Sequence, residues 1–100
     1  MTITLDQIYT IKIANGDEIV AKVVAEDSQG YTVTNPLTVI PGREGIQMIM
    51  SLFTADVKQS VTINKAQVAI IAASRQEVCD SYTEATTGIK PVRKPSIIMG

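Results

Sequence analysis

Ile8-Tyr9-Thr10-Ile11-Lys12-Ile13-Ala14-Asn15-Gly16-Asp17-Glu18-Ile19-Val20-Ala21-Lys22-Val23-Val24-Ala25-Glu26-Asp27 is the stretch that decides the fold. Up to Ile13 it alternates, with Tyr9, Ile11 and Ile13 on one face and Thr10 and Lys12 on the other, the period of a half-buried strand. Asn15-Gly16 then reads as a hairpin turn of the type I′ kind, in which φ > 0 is needed at both central residues. From Glu18 the apolar residues crowd together, as expected of a strand buried on both faces in its middle. The turn Asp27-Ser28-Gln29-Gly30 closes that strand, Asp and Ser bonding back to their own backbone and Gly supplying positive φ.

Working outward, Tyr31–Asn35 starts a third strand, which Pro36 must end, bulge or confine to an edge because proline donates no amide. Leu37–Ile40 and Ile46–Phe53 flank the Pro41–Gly45 loop as a hairpin. A break over Thr54–Gln59 precedes a short strand, Ser60–Asn64. Lys65-Ala66-Gln67 reads as a tight turn, and Val68–Ala73 as the last strand. Beyond it the period changes. Ser74 followed by Glu77 has the spacing of a capping box. Val78, Tyr82 and Ala85 fall on one helical face beside Cys79, and Gly88 is the expected stop. The Met48, Met50 and Phe53 cluster reads as core or subunit interface.

Composition agrees. Of 100 residues, 14 are Ile, 10 Val and 11 Thr, against 3 Leu, and branching at Cβ favours strands over helices. The expectation is one mostly β domain, a small barrel with a C-terminal helix. Its parts would be the barrel over residues 1–73, a packed helix over 74–88 and a basic tail over 89–100.

Several chemistries are closed by what is missing. The sequence has no His and a single Cys, Cys79, so it holds no His-based triad, no intramolecular disulfide and no Cys-rich zinc site. Asp17-Glu18 and Glu26-Asp27 are sequence neighbours at strand ends, where successive side chains point to opposite faces, and do not form an acid–base pair. No catalytic residue, metal site, cofactor or small-molecule substrate is expected, and the protein reads as a non-enzyme. The apolar run Ile46–Phe53 is too short to cross a bilayer, and Met1–Gln7 lacks the pattern of a secretory signal. A soluble cytoplasmic protein without a membrane partner is the expectation. Residues 1–87 carry 6 basic and 10 acidic side chains, while Lys90, Arg93 and Lys94 make the tail basic.

Two segments carry a resemblance. Ile11–Asp27, a strand ending in Asn15-Gly16, an apolar Ile19, a small Ala21 and an Asp eleven residues after the Gly, resembles the first signature of the Sm-like family. Val61-Thr62-Ile63-Asn64-Lys65 through Val68 and Ile71 resembles the second. Together they cover roughly residues 8–72 and liken the chain to a divergent Sm-like (LSm/Hfq-type) protein of the kind phages encode.

The resemblance implies five strongly bent antiparallel strands in an SH3-like barrel. It also implies a homo-oligomeric ring in which a late strand pairs with the neighbour's last strand, and single-stranded RNA bound by pore-facing loops. Carried over by position, the RNA-binding residues are Asp27, Gln29, Tyr31, Asn64 and Lys65. Tyr31 would stack on a base, Gln29 and Asn64 would read its edge, and Lys65 would meet phosphate. Gln29 stands where the family has an aromatic, and Asn64-Lys65 replaces its Arg-Gly pair. Those departures, with the acidic body, leave an alternative from another class: a ring serving as a structural or assembly adaptor, for instance in a viral particle.

Overall fold

The computed structural model describes residues 2–88; the expected basic tail, 89–100, lies outside them. Its elements are β1 (Gln7–Ile13), β2 (Glu18–Glu26), β3 (Gly30–Gly42), β4 (Gly45–Met50), β5 (Val61–Asn64), a single 3-10 turn (Lys65–Gln67), β6 (Val68–Ala73) and α1 (Gln76–Thr87). All pairings are antiparallel. The sheet order is β4-β3-β2-β1-β6, with β5 also paired to β3. Six strands form where five bent ones were expected, because the last third of Ile46–Phe53 leaves the ladder at Met50. Among the described residues no ladder joins β6 to β4 or β5, so the sheet is not closed into a barrel.

The first hairpin forms at Asn15-Gly16, but not as a type I′ turn. Gly16, at φ 101°, has the only positive φ in the turn. The Gly16 amide donates to Ile13 O (2.9 Å) and the Ile13 amide to Asp17 O (2.8 Å). That is a three-residue loop with one left-handed glycine, which needs no second positive φ. Asn15 serves through its side chain, its Oδ1 accepting the Asp17 amide at 2.9 Å.

Pro36 neither ends β3 nor lies at its edge; β3 bulges there. The β2–β3 register runs Val20↔Leu37 and then Lys22↔Thr34, so β3 carries an extra residue between those pairs. Asn35 adopts φ 47°, and its amide bonds Val57 O at 2.8 Å. The Tyr82 hydroxyl donates to Thr34 O (2.8 Å) and accepts the Lys22 amide (3.2 Å). The helix thereby supplies partners to backbone groups beside the bulge. Pro41 lies within β3 opposite Ile46, so the hairpin runs farther than the expected five-residue loop allowed.

Side chains from the two faces of the sheet form separate clusters. Tyr9, Ile11, Ala21, Val23, Tyr31 and Val33 make the main core, with Val61, Ile63, Val68 and Ile71 packed against it. On the other face Val20 and Leu37 meet Val78 and Tyr82 of α1, flanked by Ile8, Val39 and Met48. The helix therefore packs on the sheet through two of the three expected residues; Ala85 is exposed.

The expected capping box is absent. Arg75 is the N-cap and makes no side-chain cap. Ser74 still follows the strand, its amide bonded to Ile8 O at 3.3 Å and its Oγ paired with Thr10 Oγ1 at 2.8 Å. Gly88 ends the helix as expected, at φ 75° with its amide on Glu84 O. No helix of the described residues is long and apolar enough to cross a membrane.

Candidate nucleic-acid interface

The five candidate residues come from two turns 37 positions apart that the fold brings together. Gly30 pairs with Asn64 and Tyr31 with Ile63 in the β3–β5 ladder. The Lys65 amide then donates to Gln29 O at 2.9 Å, tying the β2–β3 turn to the start of the 3-10 turn. Asp27 organises the first turn, its Oδ1 accepting the Gln29 (2.8 Å) and Gly30 (2.9 Å) amides. These two amides hold the Asp27 carboxyl below its ordinary range, with a smaller contribution from the Lys65 charge. Asn64 organises the second, its Oδ1 accepting the Ala66 amide at 2.9 Å.

Gly30 is required for a reason different from the expected one, since its φ is not positive. A Cβ there would lie 2.7 Å from Ile63 O and 2.9 Å from Thr62 Cγ2. The missing side chain lets β5 approach β3, and that approach brings Lys65 to Gln29.

Exposure divides the set. Gln29, Asp27 and Asn64 are exposed. Tyr31 is only 9% exposed and belongs to the main core, with the Lys65 ammonium 5.0 Å from its ring centroid. Such a placement is a cation–π contact. Lys65 also pairs with Glu26 at 2.7 Å, each side chain about one-third exposed. That hydrogen bond raises the Lys65 pKa above its ordinary value, and the Glu26 and Asp27 carboxylate charges act in the same direction.

The site is thus a hydrogen-bonded double turn with the amide side chains of Gln29 and Asn64 exposed and the Lys65 cation held by Glu26. Glu26 has a part in it that its sequence position did not reveal. The signal lay in the hairpin register, which sets Glu26 opposite Tyr31 and so beside whatever crosses that ring. No three His, Cys, Asp or Glu side chains among the described residues come together to hold a metal. No protein-family model matches this chain, and a search of curated proteins finds no match.

Proposed function

We propose that the chain is an Sm-like subunit that forms a homo-oligomeric ring and binds single-stranded RNA at the paired turns. The observation that carries this reading is the Lys65 amide on Gln29 O. It joins the two segments that the Sm-like resemblance assigns to RNA. The strand order supports it as well, with the last strand returning beside the first to leave β6 and the β4/β5 side as two unpaired edges of one sheet. Unpaired edges of this kind are covered by head-to-tail pairing with further copies, which continues the sheet from one subunit into the next. In this reading the protein works without catalysis, in the cytoplasm, with the exposed Gln29 and Asn64 offering amide edges to a base and Lys65 a charge to phosphate.

One observation favours the adaptor reading over RNA. Glu26 neutralises Lys65, and the Tyr31 ring is buried beneath it, so neither is free for a nucleotide unless the ion pair opens.

Light scattering on a sizing column tests the ring, and a monomer at micromolar concentration removes both readings. Fluorescence anisotropy with uridine- and adenine-rich RNA at two salt concentrations separates them. RNA binding predicts a salt-dependent signal that Lys65→Ala weakens on every sequence, lowering the salt slope by about one per engaged site. An oligomer silent at low salt is the adaptor.

A further inference from the structure

Among the described residues the largest apolar side chain left uncovered is Phe53, 79% exposed, with Leu52 beside it at 40%. It does not sit on a loose loop. Ser51 is tied by its amide to Pro36 O (3.1 Å) and by its hydroxyl to Thr38 Oγ1 (2.8 Å), and Val57 O accepts the Asn35 amide. The chain is therefore pinned to the β3 bulge on both sides of Phe53 and presents an aromatic to solvent from a fixed base. Isolated exposed hydrophobics are ordinary, but an aromatic held this way has the character of an interface anchor.

A groove of about 300 Å³ crosses the helix-bearing face at the N-terminal end of α1. Val39, Ile46, Ala72 and Val78 line it, with Glu18 and Arg75 among its polar residues. An apolar cavity of about 150 Å³ already accepts a benzene ring, so the groove has room for a phenyl side chain. The exposed Phe53 does not fill the groove of its own chain. The loop brings Asp56 and Lys58, and the groove offers Glu18 and Arg75, whose guanidinium lies 3.9 Å from Glu77 of its own chain at a mostly exposed position, so each surface carries one charge of either sign for the other. Knob and groove are different surfaces of one chain, so within the head-to-tail ring each copy can give its knob to one neighbour and its groove to the other.

We propose that Phe53 of one subunit seats in the α1-end groove of a neighbouring copy, with Asp56 and Lys58 facing that copy's Arg75 and Glu18. This rests on the ring reading and adds a second contact to strand-edge pairing.

Phe53 is the only Phe in the sequence, so growth on 4-fluorophenylalanine gives the full-length protein one fluorine resonance. In the assembled protein that resonance should lose its H2O/D2O solvent shift and regain it on dilution to monomer. Ala72→Glu should move it, and Phe53→Ser should raise the concentration for half-assembly roughly tenfold or more with circular dichroism unchanged. A resonance still solvent-exposed in the oligomer, or indifferent to Ala72→Glu, overturns the seat while leaving the ring. So does Phe53→Ser assembling at the wild-type concentration. A protein that is monomeric throughout overturns the ring reading and this contact together.

Discussion

The two halves of β3 are made of similar residues and live in different surroundings. Before the bulge, Gly30–Val33 lies between β2 and β5 with Tyr31 and Val33 inside the main core. After it, Val39–Gly42 extends into the hairpin with β4, where Ile40 is 40% exposed and Ile49 on the facing strand 42%. β-branched residues in a strand do not by themselves say whether they are buried. The bulge at Asn35-Pro36 separates a half packed in the main core from one that buries Leu37 beneath α1 and leaves Ile40, toward its far end, partly in water.

Truncation should reveal that contrast most strongly. Val33, fully buried, should lose about 2 kcal/mol on Val33→Ala, since transfer and cavity costs add. Ile40→Ala in dilute monomer should cost less than about 1 kcal/mol. Urea denaturation measures both, and equal losses would erase the distinction.

Gly30→Ala probes how the first half is held. The new Cβ meets backbone oxygen, so β3 and β5 must separate; the expected loss is of similar size, about 1–3 kcal/mol. Amide exchange should localise it to β5 and the Lys65–Gln29 link.

Tyr82→Phe addresses the boundary itself. Removing the hydroxyl deprives Lys22 N and Thr34 O of a shared partner beside the bulge, for about 1–2 kcal/mol in thermal unfolding. A neutral result would mean that water replaces the hydroxyl there.

The smallest effect concerns Asp27. Its folded pKa lies below the unfolded one, so its contribution is complete above the unfolded value of about 3.9 and is lost as pH falls through the folded value. Melting temperature followed from pH 6 down to pH 2 should fall less steeply for Asp27→Asn than for wild type. Parallel curves would show that the turn amides do not favour the charged carboxylate.

Much of this was legible in the sequence. The alternation of Tyr9, Ile11 and Ile13, the Asn15-Gly16 turn and the Gly88 stop are local signals set by one or two residues, and they placed the elements closely. Ser74-x-x-Glu77 misled because a capping motif competes with other uses of the same hydroxyl. Here the Ser74 amide stays bonded to Ile8 O just past the end of β6, and Thr10 takes its Oγ. Proline at 36 demands a stop, a bulge or an edge, and a missing amide cannot choose among these. Val57 and Tyr82, distant in sequence, supply the partners that keep β3 running. Tyr31 was a candidate for stacking because aromatic chemistry is visible in sequence, whereas the choice between core and surface depends on which face of β3 turns inward.

Residue types and their spacing are enough to specify a strand-rich chain without imidazole, with two polar turns after Glu26 and Ile63. Those properties belong to residue types and their spacing, which no folding can alter. Folding then sets what spacing alone leaves open: the two turns touch, Glu26 holds Lys65 over the Tyr31 ring, and Phe53 is left outside. These outcomes depend on contacts between residues from 13 to 60 positions apart, through a close approach that Gly30 permits and a bulge that hydrogen bonds from elsewhere sustain.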